Sequence, residues 1–130
     1  MKIMKFKNAI LSVVLGISLV LVSSCADKDP SVLKVFVRSN ANVLMPDINV
    51  RIVSDVNKNE GTPEYKDEVR TNESGVAMFV LDELFDEYGK KDDKIAHFTV
   101  YVYDTTEFPK LGTAKAKQYL TTTETIKLDN

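Results

Sequence analysis

The chain has 130 residues, 17 Lys and Arg against 19 Asp and Glu, one cysteine and one histidine. The formal net charge of −2 disfavours nucleic acid as a partner, because phosphate binding needs a basic patch and none stands out. A single cysteine excludes an internal disulfide, so the stability of the protein must come from a packed core.

The first 24 residues have the pattern of a secretory signal peptide. Lys2, Lys5 and Lys7 precede an uncharged stretch, residues 9–22. That stretch is long enough for the apolar region of a signal peptide but short for a transmembrane helix. We therefore predict a signal peptide over residues 1–24.

The residues that end this segment are Val22, Ser23, Ser24 and Cys25. A branched apolar residue, two small residues and a cysteine resemble the lipobox of bacterial lipoproteins. The resemblance implies cleavage before Cys25, diacylation of its sulfur with chains such as palmitate, and an acylated amino group. Because each buried methylene contributes about 0.8 kcal/mol, two or three chains anchor a protein to a membrane durably. The alternative is an ordinary secretory signal with an incidental cysteine.

Residues 25–31 are polar beyond the cysteine and end after a proline, which predicts a lipidated cysteine followed by a tether. An aspartate directly after the cysteine would resemble the inner-membrane retention signal of enteric lipoproteins, but Ala26 occupies that position. We therefore expect the outer membrane. Asp27 and Asp29 loosely resemble signals for the surface-facing leaflet, or they belong to a solvated linker; the choice of leaflet stays open.

Residues 32–130 are enough for one domain, and their first half predicts strands. Apolar and polar residues alternate over 33–38 and again over 48–53, which is the two-residue period of a strand. Residues 65–71 are highly charged and predict an edge strand. Residues 76–81 are almost wholly apolar and predict a strand at the centre of a sheet.

The second half predicts a short helix and three more strands. Asp82 is expected to cap a helix that carries Leu84, Phe85 and Tyr88 on one side and ends at Gly89. Strands are expected over residues 95–103, 111–118 and 125–128, the last two separated by a threonine-rich turn. Seven short strands with one helical turn predict an all-β fold, a single antiparallel Ig-like sandwich over residues 32–130.

Residues 71–79 read Thr-Asn-Glu-Ser-Gly-Val-Ala-Met-Phe. They resemble the turn and strand of transthyretin-like sandwiches, which include carboxypeptidase regulatory-domain-like and Cna protein B-type modules, with the pattern Thr-Asp-x-x-Gly-x-Ala-x-Phe. Gly75 then supplies a positive φ, and Ala77 and Phe79 face the core. Asn72 replaces the usual aspartate, and a helix replaces the usual Pro-Gly-Tyr-like turn. The resemblance implies a structural, adhesive or docking module.

The sequence shows no catalytic constellation, so we predict that the protein is not an enzyme and uses no cofactor. His97 lies on the polar side of a predicted strand, and without a second nitrogen or sulfur ligand it predicts no metal site. No nucleophile elbow or Gly-rich phosphate loop is present.

Residues 55–61 place oxygen-bearing side chains at alternate positions, as a calcium loop does, but Lys66 stands at the twelfth position. An Asn/Asp turn is favoured, and binding of a divalent cation stays open.

The candidate binding residues are Tyr101, Tyr103 and Phe108, at and just beyond the end of the longest predicted strand, and Tyr119 in the neighbouring segment. Aromatic side chains with a polar tip are favoured at protein and carbohydrate interfaces. Alternatively, Tyr101 and Tyr103 pack on the second sheet.

The sequence thus favours a non-enzymatic envelope lipoprotein, anchored through Cys25, that docks onto another outer-membrane protein or assembly. A surface glycan- or peptide-binding lipoprotein is the alternative, and a small hydrolase or its inhibitor is a third.

Overall fold

The computed structural model describes residues 28–58, 62–88, 94–104 and 108–129. They form seven strands in two sheets and one short helix, in agreement with the predicted all-β class and its single helical turn. In chain order the elements are β1 (Val32–Arg38), β2 (Asn49–Ser54), β3 (Lys66–Arg70), β4 (Val76–Val80), α1 (Asp82–Glu87), β5 (Ile95–Tyr103), β6 (Lys110–Lys117) and β7 (Thr121–Lys127).

The smaller sheet has three strands in the order β4-β1-β7. β4 pairs with β1 antiparallel, but β1 and β7 are parallel, with Val32 opposite Thr121. The prediction of a wholly antiparallel sandwich is therefore wrong for this pair. Parallel neighbours need a long connection, and here the connection is all of the chain between the first and the last strand.

The larger sheet has four antiparallel strands in the order β3-β2-β5-β6. The predicted edge position of the charged strand β3 is confirmed. Its exposed residues, Lys66, Glu68 and Arg70, alternate with half-buried Asp67 and Val69. Charges of this kind on an edge strand discourage pairing with other chains.

The predicted central position of β4 is wrong, because β4 forms an edge of the smaller sheet. Ala77 and Phe79 are fully buried, whereas Met78 and Val80 are each 52% exposed. A continuous apolar run is typical of a strand covered on both faces. In β4 the same run covers the core with one face and leaves the other apolar face in contact with solvent.

The core lies between the sheets and is built from alternate strand residues. Its largest fully buried side chains are Phe79, Phe85, Phe98, Leu33, Ile52, Leu81, Leu84, Val35, Val37, Val50, Val100 and Val102. The predicted apolar face of α1 is confirmed, since Leu84, Phe85 and Tyr88 are buried and close one end of the sandwich. Asp82 does not cap α1: the N-cap residue is Leu81.

The turn between β3 and β4 has the predicted glycine geometry. Gly75 has a φ of +71°, and its N–H donates to the carbonyl of Asn72 at 2.9 Å. The Oδ1 atom of Asn72 accepts from the N–H groups of Ser74 and Val76. Asn72 therefore satisfies the turn through its amide oxygen, the atom that an aspartate would also offer.

The threonine-rich segment before residue 125 is part of β7, not a turn as predicted. The turn consists of residues 118–120, and Tyr119 adopts a φ of +64° there. Thr121 to Thr125 alternate in exposure as strand residues do. β-branched threonine is compatible with both a turn and a strand. Here the pairing with β1 places these threonines in a strand.

The two ends of the sandwich are distinct, and we call them the proximal and distal poles. At the proximal pole the chain enters at Ser31, whose carbonyl accepts from Leu81, and α1 and the turn at Tyr119 lie there. The distal pole holds the turn at Gly75 and the end of β5 at Tyr103. Within the described residues, no helix is long and apolar enough to cross a bilayer.

Candidate functional site

Tyr101 and Tyr103 lie on the outer face of the four-stranded sheet. β5 alternates strictly between fully buried and half-buried residues, and Val100 and Val102 point into the core. The side chains of Tyr101 and Tyr103 therefore point away from the smaller sheet. The alternative that they pack between the sheets does not apply.

Tyr101 lies in the middle of this outer face. Its cross-strand neighbours are Arg51 on β2 and Leu111 on β6. Directly opposed residues have Cβ atoms about 5 Å apart, so the three side chains form one continuous row. Leu111 is 58% exposed, which leaves an apolar side chain beside a half-buried phenol.

Tyr103 ends β5 at the distal pole and lines a cleft of about 270 Å³. This distal cleft is lined by Asp47, Ile48, Asn49, Arg70, Tyr103 and Asp104. Strands β2, β3 and β5 supply three of these residues, because Asn49 is opposite both Arg70 and Tyr103 in the register. The cleft is open and just below the usual volume of small-molecule pockets.

An ion pair holds one wall of the distal cleft. The Nε atom of Arg70 donates to Asp47 Oδ1 at 2.8 Å, and its Nη2 atom donates to the carbonyl oxygen of Asp47 at 3.2 Å. Asp47 has a φ of +59°, in the left-handed region. Two hydrogen bonds from one guanidinium fix its plane at the rim, although the pair is too exposed to contribute much to stability.

The side chains that line the distal cleft are polar, apart from that of Ile48. Two carboxylates, an amide, a guanidinium and a phenol surround it. Such planar hydrogen-bonding groups next to an aromatic ring suit sugar hydroxyls or an extended peptide. In the part of the chain that the structure describes, no group of three or more His, Cys, Asp and Glu side chains is placed to hold a metal ion.

Phe108 lies two residues before β6 and is 77% exposed. Since β6 begins beside Val102, Phe108 belongs to the same pole as Tyr103. We call Tyr101, Tyr103, Phe108 and Leu111 the distal aromatic surface. Three of the four sequence-predicted aromatic residues thus lie on the outer face of the larger sheet or at its distal end.

The fourth, Tyr119, lies at the proximal pole. It follows β6, whose eight residues separate it from Phe108 by more than about 20 Å at the usual rise of a strand. The Nζ atom of Lys28 is 4.7 Å from the centre of its ring. Tyr119 therefore contacts the segment through which the chain enters the domain, and not the distal aromatic surface.

The other sequence candidates are dispersed. His97 is half-buried on the outer face, opposite Lys115, as its position on the polar side predicts. Asp55 accepts a hydrogen bond from the N–H of Asn57 at 3.1 Å, the geometry of an Asx turn. The last residues of the segment compared with a calcium loop, 59–61, and the predicted lipidation site Cys25 lie outside the described residues.

Two features were missed from the sequence. Asp47 and Arg70 are 23 residues apart and meet only through the register of β2 and β3. The Pro46-Asp47 pair signals a turn, but not a cleft. The exposed apolar side of β4, with Met78 and Val80, cannot be distinguished in the sequence from a core-facing side, because a continuous apolar run carries no alternation.

No protein-family model matches the chain, and no curated protein is significantly similar to it.

Proposed function

We propose that the protein is a lipid-anchored protein of the outer membrane whose β-sandwich docks onto another envelope protein. The anchor is the acylated Cys25, and the signal peptide ends at residue 24. Docking takes place through the distal aromatic surface. The N-terminal pattern of charge, apolar run, small residues and cysteine supports the anchor.

One observation carries the docking role: the chain enters at one pole and the distal aromatic surface lies towards the other. Five residues separate Cys25 from Ser31, so their Cα atoms are at most about 22 Å apart. A lipid on Cys25 would hold the proximal pole near the bilayer. The distal aromatic surface would then face away from the membrane, where another protein can reach it.

We infer a transthyretin-like sandwich from the turn between β3 and β4. Gly75 adopts the positive φ that the motif requires, and Ala77 and Phe79 are fully buried. The seven-stranded arrangement in sheets of three and four is compatible with this class. Because folds of this kind serve many functions, the docking role depends on the surface and not on the architecture.

The test is a mild-detergent pull-down of the native lipoprotein, with identification of what is recovered with it. Tyr103→Ala and Phe108→Ala should each reduce recovery of the partner while the fold stays intact, because truncating an interface anchor commonly costs more than about 1 kcal/mol. Tyr119→Ala is the matched control, an aromatic truncation at the proximal pole. A strong loss of thermal stability with unchanged binding per folded molecule would assign Tyr103 and Phe108 a structural role instead.

A second candidate function is glycan or peptide binding, which the composition of the distal cleft favours. Asn49, Arg70 and Tyr103 converge there with hydrogen-bonding groups beside an aromatic ring. Titration of the isotope-labelled protein with an oligosaccharide panel should shift the amide signals of these residues. Asn49→Ala should weaken such binding and leave the pull-down through Phe108 unchanged, which separates the two functions.

A further inference from the structure

The hydrogen bonds at the two ends of the β1–β4 ladder determine which residues of β4 face its open edge. The N–H of Leu81 donates to the carbonyl of Ser31 at 2.8 Å, and the N–H of Val37 donates to the carbonyl of Gly75 at 3.0 Å. In an antiparallel pair the hydrogen-bonded positions recur every second residue. The odd-numbered residues of β4 are therefore bonded to β1, and the even-numbered ones direct their N–H and C=O groups outward.

Two of these outward-facing residues have unpaired backbone groups. The first even-numbered residue, Val76, is satisfied by Asn72, which accepts its N–H through Oδ1 and donates its own N–H to the carbonyl. Met78 and Val80 have no such neighbour: among the described residues, nothing accepts their N–H groups or donates to their carbonyls. The open edge therefore offers two donors and two acceptors in strand geometry.

The side chains at this edge do not protect it. Met78 and Val80 are each half exposed on the outer face, and β4 contains neither a charge nor a proline. Edge strands are usually guarded by such residues, and β3 is guarded by Lys66, Glu68 and Arg70. β4 is thus the less protected of the two edges on this side of the sandwich.

The smaller sheet also has one strand fewer than the sheet on which it packs. Tyr65, Asp67 and Val69 face the inside of the sandwich, yet each is only half-buried. They lie on the side where the smaller sheet stops at β4. A strand added beside β4 would lie over this side and cover them.

The charge at this edge is negative near the proximal pole. Burial raises the pKa of Tyr65, and the carboxylates of Asp67 and Glu83 raise it further. Glu83 belongs to α1, whose other acidic residues, Asp82, Asp86 and Glu87, are also exposed. A strand that carries a basic residue would be attracted.

We propose that the open edge of β4 binds an extended segment of a partner protein, with apolar side chains at alternate positions and a Lys or Arg facing Asp67 and Glu83. The backbone of the segment pairs with Met78 and Val80, which extends the smaller sheet to four strands. This surface is separate from the distal aromatic surface, and the proposal requires neither docking there nor lipidation of Cys25.

Amide hydrogen exchange on the full chain in mild detergent tests the open edge directly. In the free protein, the amides of Met78 and Val80 should exchange faster than those of Ala77 and Phe79, which bond to β1. The probe is a blocked synthetic peptide, Lys-Thr-Val-Thr-Val-Thr-Val, added in excess. It should slow exchange at Met78 and Val80 without changing exchange at Ala77 and Phe79. Equal protection of all four amides in the free monomer would overturn the proposal.

Met78→Pro isolates the backbone contribution to binding. Proline removes an N–H that β1 does not use, so the fold should persist, and peptide binding should weaken about tenfold or more. Met78→Ala keeps the N–H and should bind within about threefold of the wild type. Lys66→Pro blocks an outward N–H on the β3 edge and should leave binding unchanged.

Two further outcomes would overturn the proposal. If a peptide with Glu in place of Lys binds equally well, the carboxylates of Asp67 and Glu83 do not select the partner. If the wild-type chain dimerises and Met78→Pro is monomeric by sedimentation, a second copy is the occupant. Even if a proline variant does not fold, hydrogen exchange on the wild-type chain shows whether the amides of Met78 and Val80 are unprotected.

Discussion

The side chain of Ser31 accepts a 2.8 Å hydrogen bond from the backbone N–H of Tyr119, 88 residues further along the chain. The N–H of Ser31 donates to Asp82 Oδ1 at 2.9 Å, and its carbonyl accepts from Leu81. Ser31, which the sequence assigns to the end of the tether, is only 1% exposed. The segment entering the domain is therefore fixed to both the start of α1 and the turn after β6.

Ser31→Ala should lower the free energy of unfolding by about 1 kcal/mol, because the N–H of Tyr119 loses its acceptor in a partly buried position. Urea denaturation measures this. Ser39→Ala is the control: its hydroxyl accepts from Val43 in an exposed turn, so the midpoint should move much less. Equal effects of the two substitutions would show that burial at Ser31 is unimportant.

Gly75→Val should destabilise the domain by at least about 1 kcal/mol, because a β-branched residue resists a positive φ. A Cβ atom at this position would also lie 2.9 Å from both Leu44 Cβ and Met45 N. The urea midpoint should fall. Ser74→Val, on the exposed neighbouring residue, should leave it nearly unchanged, and an unchanged midpoint for Gly75→Val would contradict the turn geometry.

Tyr65 predicts a loss of stability at alkaline pH. Its pKa is raised above 10.0 in the folded protein by burial and by Asp67 and Glu83. The folded state therefore keeps the proton where the unfolded chain has released it, and stability falls as the pH rises above about 10. Below that pH both states are protonated and the contribution is constant.

Tyr65→Phe removes this titration and keeps the ring. Thermal unfolding between pH 9 and pH 11 should show a steeper fall for the wild type than for the variant, because the phenol of Tyr65 is the only ionisable group that differs between them. An ultraviolet titration should compare phenolate formation in the two proteins. The phenolate signal that is absent from Tyr65→Phe should be one that appears above pH 10 in the wild type. Parallel stability curves would contradict the shift.

Cys25→Ser should leave the protein unprocessed or release it from the outer membrane, since the thioether is the proposed attachment point. Fractionation of cells followed by a carbonate wash measures retention. The Ser24→Ala variant keeps a small residue before the cysteine and should be retained as the wild type is. Full retention of Cys25→Ser would exclude the lipid anchor.

Alternation of polar and apolar residues was sufficient to predict β1, β2 and β5, because a half-buried strand repeats every two residues regardless of its neighbours. The positive φ at Gly75 was equally predictable, since few other residues adopt it readily. The charged edge strand β3 followed from the cost of pairing charges with another chain. Each of these features depends on a few neighbouring residues, so a short stretch of sequence is enough to predict it.

The candidate site was only partly predictable. The outward direction of Tyr101 and Tyr103 follows from the period of β5, but their separation from Tyr119 depends on the antiparallel pairing of β5 with β6, which takes the chain back to the proximal pole. The distal cleft depends on the meeting of Asp47 and Arg70 across β2 and β3. Neither the pairing of β5 with β6 nor the contact of Asp47 with Arg70 can be predicted from the local sequence pattern.

The sequence by itself determined where strands form, which of their faces is apolar and where the chain must turn, because these depend on side-chain period and backbone sterics within a few residues. Only the tertiary structure decided that β4 is an edge, that β1 and β7 are parallel, and that no described residue pairs with the outward backbone groups of Met78 and Val80. Such outcomes depend on which strands compete for the same neighbour. Strand order is a property of the whole sheet, so the apolar run of residues 76–80 fits a central strand and an edge strand equally well.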